Sequence, residues 1–395
     1  MPKAVVTGLG AVTCLGRSAP ETFAALVAGR VGLKRLTLFD SPRYADVPVG
    51  EVAGTLEEVP GATESRTERL ALAAAQEALA LAGLDTAGAR RAGPAWGVVA
   101  GTTVAGMLSS EEYFRQLWSG KKPKAALVCR HLGASVSRTL ARVFEIQGFN
   151  TTLSTACSSG VNAVAMAADL VEQGEASLVL AVGADSLSAM TVNGFHALLI
   201  ADPEGSRPFD ARRRGLSLGE GAGALVIESE AHARARGAAI LARVLGAGNT
   251  CDAYHATAPQ PEGVGAEAAM RQALARAQLE PAGVGYVNAH GTGTPDNDAA
   301  EGKALARVFQ DCLPPVSSTK GATGHTLGAA GAIESVICVL AILQESLPPN
   351  TGCLEPDPAL AFTPLRAARR VRVDTVMNNS FGFGGNNSSI IFGRA

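Results

Sequence analysis

The hydrophobic pattern of the chain alternates between short apolar runs and longer segments with helical periodicity. Continuous apolar runs at 178–183 and 224–227 are too short for a helix, and they are typical of strands covered on both faces. Elsewhere apolar residues recur every three or four positions, as at Val161, Val164 and Val171, and so form one face of a helix. Strands that alternate with helices in this way predict an α/β architecture.

The periodicity also gives a coarse order of elements. It predicts strands near residues 4–16, 96–100, 178–183, 224–227, 241–246, 284–288, 376–379 and 388–392. It predicts helices near residues 20–29, 65–82, 132–144, 157–172, 263–276, 298–307 and 328–344. Residues 40–64 have the composition of a loop. Because the strand–helix alternation begins again after about residue 235, we expect two halves, 1–235 and 236–395.

Composition narrows the class of protein. Hydrophobic residues are 47% of the 395 positions and charged residues 18%, which indicates a well-buried globular protein. The net charge of −2 favours neither nucleic acid nor an anionic membrane as a partner.

The seven cysteines are scattered without CxxC spacing, so we expect reduced thiols and no metal site. No signal peptide or long apolar run is evident, so we expect a cytoplasmic protein without membrane insertion.

One short stretch, LSTACSSG at 153–160, places a cysteine among small residues just before a helical pattern. Cys157 is therefore expected at a strand-to-helix turn, as the first residue or cap of the helix. That position lowers a thiol pKa, because free backbone N–H groups and the helix dipole favour the thiolate. A tight turn also points the side chain outward, as nucleophile elbows do. A buried structural cysteine is an equally good interpretation of this stretch alone.

Two histidine motifs favour the nucleophile. His290 follows a predicted strand, in NAHGTGTP at 288–295, and His325 lies five positions after Lys320 in a glycine-rich loop. A single histidine is more often structural than catalytic, but two in separate Gly/Thr-rich turns, with a lysine and a cysteine, indicate a catalytic site. A further stretch, NSFGFGGNN at 379–387, is predicted to be a flexible loop. Its two aromatic residues could pack in the core or form a moving gate.

In combination, TACSSG at 155–160, AHGTGTPDND at 289–298 and STKGATGHTLGAAG at 318–331 are highly specific. The chain resembles an elongating β-ketoacyl-acyl-carrier-protein synthase of the thiolase superfamily, over nearly its whole length. The chain is similar to the synthase II type of bacterial fatty-acid synthesis, and condensing enzymes of type II polyketide and polyene pathways share the motifs. The resemblance implies a duplicated thiolase-like α/β fold of five layers, α-β-α-β-α. It implies a dimer, formed either by two copies or with a chain-length-factor-like homologue.

The resemblance also implies the reaction and its residues. A decarboxylating Claisen condensation would join malonyl-acyl carrier protein to a Cys-bound acyl chain and give 3-oxoacyl-acyl carrier protein. No cofactor is implied, because the substrates arrive on the phosphopantetheine of the carrier protein. The implied catalytic residues are Cys157, His290, His325 and Lys320. The implied oxyanion hole and gate comprise Cys157, Phe383 and Phe381, the implied pantetheine contacts are Thr292 and Thr294, and the implied supporting acids are Glu334, Asp298, Glu301 and Asp252.

Two departures from the family pattern concern the substrate more than the reaction. The usual GFGGTN has Asn386 in place of threonine, and the usual RDGF is Arg213-Arg214-Gly215-Leu216 here. Fatty-acid and specialised polyketide or polyene elongation both remain open. The basic run at 212–214 is expected to be a solvated turn.

Two other classes of function are weighed against condensation. A non-condensing, thiolase-like acyltransferase would need a second cysteine near the closing glycine loop, and residues 376–393 contain none. A non-catalytic, chain-length-setting partner subunit would have lost the nucleophile, and Cys157 is present. The sequence therefore favours the condensing enzyme.

Overall fold

The computed structural model describes residues 3–41, 44, 46–56, 65–84 and 93–395. Part of the predicted loop at 40–64 lies outside these residues. The described part of that loop is not wholly irregular, because Pro48–Val49 (β3) pairs antiparallel with Lys34–Arg35 (β2).

Eight of the ten main strands lie near the predicted ones, most with longer bounds, and the strands at 150–153 and 316–317 are not among those predicted. The ten strands are β1 Ala4–Val12, β4 Trp96–Gly101, β5 Asn150–Leu153, β6 Leu178–Asp185, β7 Gly221–Ser229, β8 Ala242–Cys251, β9 Tyr286–Asn288, β10 Val316–Ser317, β13 Thr375–Gly382 and β14 Asn386–Arg394. A short pair, β11 Ser346–Leu347 and β12 Arg369–Arg370, stands apart. The helices are α1 Ala19–Val27, α2 Arg66–Leu81, α3 Met107–Trp118, α4 Ala126–Cys129, α5 Ala134–Val143, α6 Ser159–Glu172, α7 Ala189–Ala197, α8 Glu230–Ala235, α9 Val264–Ala277, α10 Pro295–Phe309, α11 Lys320–Thr323 and α12 Ala330–Gln344.

The sheet shows that the two halves of the chain share one topology. Its ten strands run in the order β10-β9-β13-β14-β8-β1-β7-β6-β4-β5. The first half has β5, β4 and β6 parallel, then β7 and β1 antiparallel. The second half repeats this arrangement with β10, β9, β13, β14 and β8. The two half-sheets meet where β1 pairs with β8, so the predicted duplication is confirmed.

Helices cover both half-sheets and separate them. Helices α2 and α5 pack on the outer face of the first half-sheet, and α9, backed by α10, packs on the outer face of the second. Helices α6 and α12 pack against each other in the centre and touch strands of both halves. The result is the predicted five-layer order, α-β-α-β-α.

The central helix α12 is apolar enough to suggest a membrane span. Residues Leu327–Gln344 have the length and hydropathy of such a span, and 89% of that segment is buried inside the fold. Its buried apolar side chains belong to the largest core cluster of the described residues. The segment is therefore accounted for as a core helix.

Glycines set the distance between the two central helices. A Cβ on Gly160 of α6 would lie 2.6 Å from the backbone nitrogen of Ala332 and 2.8 Å from the carbonyl oxygen of Gly328. A Cβ on Gly331 of α12 would lie 2.6 Å from the backbone nitrogen of Val161. Because neither backbone can give way cheaply, only glycine at these positions allows the observed approach.

This packing predicts that Gly160→Ala destabilises the protein although alanine is the better helix former. We expect a loss of about 1–3 kcal/mol in the free energy of unfolding, measured by urea denaturation, because the added methyl group forces the helices apart. Gly194→Ala, in a helix with open space around the added methyl, is the matched control and should be neutral or slightly stabilising. Equal stability of the Gly160 variant and wild type would contradict this account of the central layer.

Candidate active site

The nucleophile turn connects β5 to α6. Ala156 has a φ of +52°, a left-handed conformation that is uncommon for a residue with a side chain. Two hydroxyls stabilise it, since Ser159 Oγ and Thr103 Oγ1 donate hydrogen bonds to the Ala156 carbonyl at 2.6 and 3.0 Å. The helix cap is Ser158, so Cys157 lies one residue before the cap and not at the cap or first helical residue as expected.

Cys157 faces a histidine across the central layer. Its Sγ lies 2.9 Å from Nε2 of His325, and its side chain is almost wholly buried. The expectation of a lowered thiol pKa is wrong for the resting state, because burial raises the pKa of Cys157 to about 11. The backbone N–H of Phe383 and the charge of Lys320 act in the opposite direction and favour the thiolate. The resting pair is therefore a thiol beside a histidine.

His325 is anchored by the backbone of the segment before β7. Its N–H donates to the carbonyl of Ser217 at 2.7 Å, and its own carbonyl accepts from the N–H of Gly219 at 2.9 Å. The ring of His325 lies edge-on to that of His290, with 5.3 Å between ring centroids. The two predicted histidines thus lie side by side next to the cysteine.

A buried carboxylate positions His290 through its backbone. Glu301 of α10 accepts hydrogen bonds from the N–H groups of His290 and Gly291 at 2.8 and 2.7 Å. Burial raises the pKa of Glu301 to about 7. Asp298, one turn earlier, accepts from the N–H groups of Thr292 and Gly293 at 3.1 and 3.2 Å. The two acids therefore determine the course of the His290 turn.

Both imidazoles are neutral. Burial, followed by the charge of Lys320, holds the pKa of His290 and of His325 well below the ordinary value. Their Nδ1 atoms have no hydrogen-bond partner within the described part of the chain, so no protein group there fixes the tautomer. Lys320 itself donates to Glu334 at 2.5 Å, and both side chains are buried. The structure thus places Glu334 against Lys320, and the supporting role that the resemblance implied stays a prediction.

The hairpin between β13 and β14 forms one wall of the site. The stretch predicted as a flexible loop at 379–387 is instead mostly strand, and only Phe383–Gly385 forms a short 3-10 turn. The ring of Phe383 stacks on Phe195 of α7, with 5.5 Å between centroids. Phe381 contacts the edge of His290 at a centroid distance of 5.9 Å. The two aromatic residues lie at the site, and Phe381 is also part of a core cluster. Their movement as a gate stays a prediction.

Asp252 connects this hairpin to the loop after β8. Its carboxylate accepts from Nδ2 of Asn387 at 2.7 Å and from the N–H of Gln260 at 2.9 Å. Its own N–H donates to the carbonyl of Gly385 at 2.9 Å. Asp252 is therefore a structural link beside the site.

A pocket partly open to solvent leads to the cysteine. Cys157, His290, His325 and Phe383 line it, together with Thr292 and Thr294. The two threonine hydroxyls lie 2.9 Å apart and share a hydrogen bond. Leu216, the residue in place of the usual phenylalanine, also lines the pocket.

The basic run beside the pocket differs from the expected solvated turn. Arg212 and Arg214 are half exposed, but the side chain of Arg213 is only 7% exposed and pairs with Asp357 at 2.5 Å. Arg213 therefore belongs to the supporting structure around Asp298, from which its Nε lies 3.8 Å.

Sequence reasoning missed a buried aspartate. Asp185 ends β6 and accepts hydrogen bonds from the N–H groups of Thr103, Val104 and Gly328 at distances of 2.7–3.1 Å. It thereby connects the turn after β4 to the segment that follows His325. The available signal was an acidic residue at the carboxyl end of an apolar strand, where α/β proteins place functional groups.

An amide network was also missed. Nδ2 of Asn162 in α6 donates to Oγ1 of Thr155 at 2.9 Å. Its Oδ1 accepts from Nδ2 of Asn249 and from Oγ of Ser388, at 2.7 and 2.8 Å. The network joins the nucleophile turn to β8 and β14 of the other half. Nothing in the local sequence of these residues marks them as partners.

The donor set of the site would also suit a metal ion by distance alone. The sulfur of Cys157 and ring nitrogens of His290 and His325 all lie within 4.8 Å of one another. A thiolate and two imidazoles are ligands that Zn²⁺ accepts. Such an ion would occupy the electron pair with which the sulfur must attack, and the ammonium of Lys320 would repel it. The absence of a resident metal stays a prediction.

Comparison with known families identifies the class. Residues 1–233 match the family model described as the beta-ketoacyl synthase N-terminal domain, and residues 241–353 match that of the C-terminal domain. The chain belongs to the beta-ketoacyl synthase family. The 3-oxoacyl-(acyl-carrier-protein) synthase 2 of Coxiella burnetii is 36% identical over 99% of this chain and 98% of its own length. A mitochondrial 3-oxoacyl-(acyl-carrier-protein) synthase of Arabidopsis thaliana is also 36% identical, over 99% of this chain and 93% of its own.

Solved structures agree in fold. The ishigamide ketosynthase/chain length factor superposes with a TM-score of 0.94 at 33% identity, covering 100% of this chain and 99% of that chain. The ketosynthase ApeO in complex with its chain length factor ApeC, from Xenorhabdus doucetiae, gives a TM-score of 0.91 at 33% identity, with coverage of 100% and 98%. The protein is thus a thiolase-fold condensing acyltransferase, a β-ketoacyl synthase.

The neutral histidines predict a pH dependence of stability. In the unfolded chain a histidine has a pKa of about 6.5, so below that pH the unfolded state binds more protons than the native state and stability falls. Between pH 7.5 and 5.5, wild type should lose about 1.4 kcal/mol more in the free energy of unfolding than His325→Gln, measured by urea denaturation. His255→Gln, at an exposed loop position, is the control and should retain the wild-type loss. The same loss in His325→Gln would show that His325 binds protons in the native state as readily as in the unfolded chain, and so would contradict the lowered pKa.

Proposed function

We propose that Cys157 accepts the growing acyl chain and that His290 and His325 then drive the condensation. The 2.9 Å contact between Cys157 Sγ and His325 Nε2, with His290 beside it at the inner end of an open pocket, is the observation that carries the proposal. The thiol proton passes to Nε2 of His325 as the sulfur attacks the acyl thioester carbonyl. The bond between that carbonyl carbon and the carrier's sulfur breaks, and the departing thiolate takes the proton.

The second step uses the same two imidazoles as donors. A malonyl thioester enters, its C–C bond to the carboxylate breaks, and CO₂ leaves. Negative charge develops on the thioester oxygen of the resulting enolate. Neutral imidazoles can each donate an N–H to that oxygen, and removing one donor of this kind typically costs about 3–4 kcal/mol of transition-state stabilisation.

Carbon–carbon bond formation then regenerates the enzyme. The enolate carbon attacks the carbonyl carbon of the Cys157 thioester, and the C–S bond breaks. The Cys157 thiolate that leaves takes up a proton from solvent and becomes the thiol again. The product is a 3-oxoacyl thioester two carbons longer. The oxyanion that forms on the acyl oxygen is held by the backbone N–H groups of Cys157 and Phe383, of which the latter already faces the sulfur.

Lys320 and Glu334 have an electrostatic role in the proposal. Burial keeps both histidines neutral, and the charge of Lys320, which is paired with Glu334, lowers the pKa of each ring further. An imidazolium could not carry out the first proton transfer, because its nitrogens are already protonated. The lysine therefore adds to burial in maintaining the protonation state that both steps need.

The substrates are acyl chains attached to the phosphopantetheine of an acyl carrier protein. Thr292 and Thr294 line the same pocket as Cys157, and their hydroxyls can hydrogen-bond the amides of the pantetheine arm. No step draws on a metal or another cofactor. All seven cysteines are free, which suits a reducing cytoplasm in which Cys157 stays a thiol.

We also propose that two chains of this fold pair, either as copies or with a homologous chain-length-factor-like partner. One similar solved structure is the ishigamide ketosynthase/chain length factor, and another is the ketosynthase ApeO in complex with its chain length factor ApeC. In this chain, β5 is an end strand of the sheet, and Phe114, Leu117 and Trp118 of α3 are exposed, Trp118 to 82%. An open strand edge and exposed large apolar side chains both favour a protein partner.

The roles of the three residues are separable by mutation. Cys157→Ala should abolish acyl loading and condensation, because no thiol remains. His290→Ala and His325→Ala should each lower the rate of malonyl decarboxylation by a factor of about 10² or more, measured as CO₂ release from malonyl carrier protein. Full elongation by Cys157→Ala would overturn the assignment of the nucleophile. Wild-type decarboxylation by either histidine variant would show that its role is wrong.

A further inference from the structure

Asn386 replaces the threonine that is usual in the closing glycine motif, and its side chain has a defined partner. Nδ2 of Asn386 donates a hydrogen bond of 2.9 Å to the carbonyl oxygen of Phe383. The residue is partly buried at the start of β14, where its backbone pairs with Gly382 of β13 and with Cys251 of β8. The bond therefore closes the short turn that carries Phe383.

Other bonds hold the later residues of the same turn. The N–H of Gly384 donates to the carbonyl of Ala256 at 2.8 Å, and the carbonyl of Gly385 accepts from the N–H of Asp252. Gly384 and Gly385 have φ angles of +78° and +76°, in the left-handed region that glycine adopts more readily than other residues. The Asn386 side chain is a partner of the Phe383 carbonyl in this turn. Without it, fewer bonds would hold Phe383 in place.

The position of Phe383 matters because its N–H faces the sulfur of Cys157. Gly382 allows this approach, since a Cβ on it would lie 2.9 Å from the backbone nitrogen of Cys157. If the Phe383 ring, which lines the pocket and stacks on Phe195, acts as a gate, it moves aside for a bulky chain. Its N–H must then return to the same place to stabilise an oxyanion. Preorganised donors lose most of their effect when they are displaced by about 1 Å.

We propose that Asn386 is a positioning residue that returns the Phe383 N–H to the oxyanion hole after each acyl chain has entered. The inference rests on the roles given to Cys157 and Phe383 in the proposed function. Threonine at 386 would carry its donor one bond closer to its own backbone. The longer, planar amide of asparagine is therefore suited to reach across the turn.

The half-reactions distinguish positioning from a general structural role. Acyl transfer to Cys157 passes through an oxyanion at Phe383, whereas malonyl decarboxylation places its charge at His290 and His325. Asn386→Asp keeps the shape of the side chain but has no donor. It should slow acylation of Cys157 about tenfold and leave CO₂ release from malonyl carrier protein within about twofold of wild type.

Two further variants make the comparison specific. Asn386→Gln keeps the donor on a longer stem and should recover part of the acylation rate. Asn193→Asp makes the same chemical change at an exposed position of α7 and should leave both half-reactions unchanged. Acylation is followed by rapid-quench intact-mass spectrometry of the full-length protein with acyl carrier protein substrates.

The outcomes separate this inference from the proposed function. If wild type is acylated on Cys157 and Asn386→Asp is acylated equally fast, the role of Asn386 is wrong and the proposed function stands. If Asn386→Asp loses both half-reactions to the same extent, its side chain is only structural and the inference also fails. If wild type itself is never acylated on Cys157, the proposed function fails and the inference with it.

Discussion

The site depends on the close approach of the two central helices. Cys157 precedes α6 and His325 precedes α12, and they are 168 residues apart in sequence. They meet because Gly160 and Gly331 allow the backbones of these helices to touch. The same contact buries the largest apolar cluster of the described residues between the two half-sheets. Stability and catalysis therefore share one packing constraint, and a single added methyl group would disturb both.

Burial determines the chemistry at this junction. It keeps both histidines neutral and the thiol protonated in the resting state, so the reaction begins without an ion pair that would have to be desolvated. The charge of Lys320 acts on all three groups and favours the thiolate and the neutral imidazoles. Because Glu334 pairs with Lys320 in the interior, that charge is held at a fixed place. The protein thereby concentrates donors where negative charge forms only during the reaction.

Much of this could be predicted from sequence, and the failures have physical reasons. Cys157, His290 and His325 lie in runs of small residues at strand ends, and such local patterns can be recognised in the sequence without knowledge of the fold. The thiol pKa was predicted in the wrong direction because a helix terminus is visible in sequence, whereas the burial that outweighs it is not. Asp185 and Asn162 were missed because their importance lies in partners that only tertiary structure brings near.

The departures from the family pattern became interpretable only in three dimensions. Asn386 is a single substitution in a motif, but in the fold its side-chain amide donates a hydrogen bond to the carbonyl of Phe383. Leu216 lines the pocket, whereas Arg214, two residues before it, pairs with the buried Asp202 and the exposed Glu204. The substitution at Leu216 therefore affects the shape of the pocket, and the substitution at Asn386 affects the turn that carries Phe383.

The most direct test of the central claim is intact-mass spectrometry of the purified protein mixed first with acyl carrier proteins bearing saturated, polyunsaturated or aryl-terminated chains. Malonyl carrier protein is added second. The account predicts an acyl adduct on Cys157 that disappears on the second addition, as CO₂ and a 3-oxoacyl product two carbons longer are released. An adduct on another residue, or a Cys157 adduct that malonyl carrier protein leaves unchanged, would contradict it.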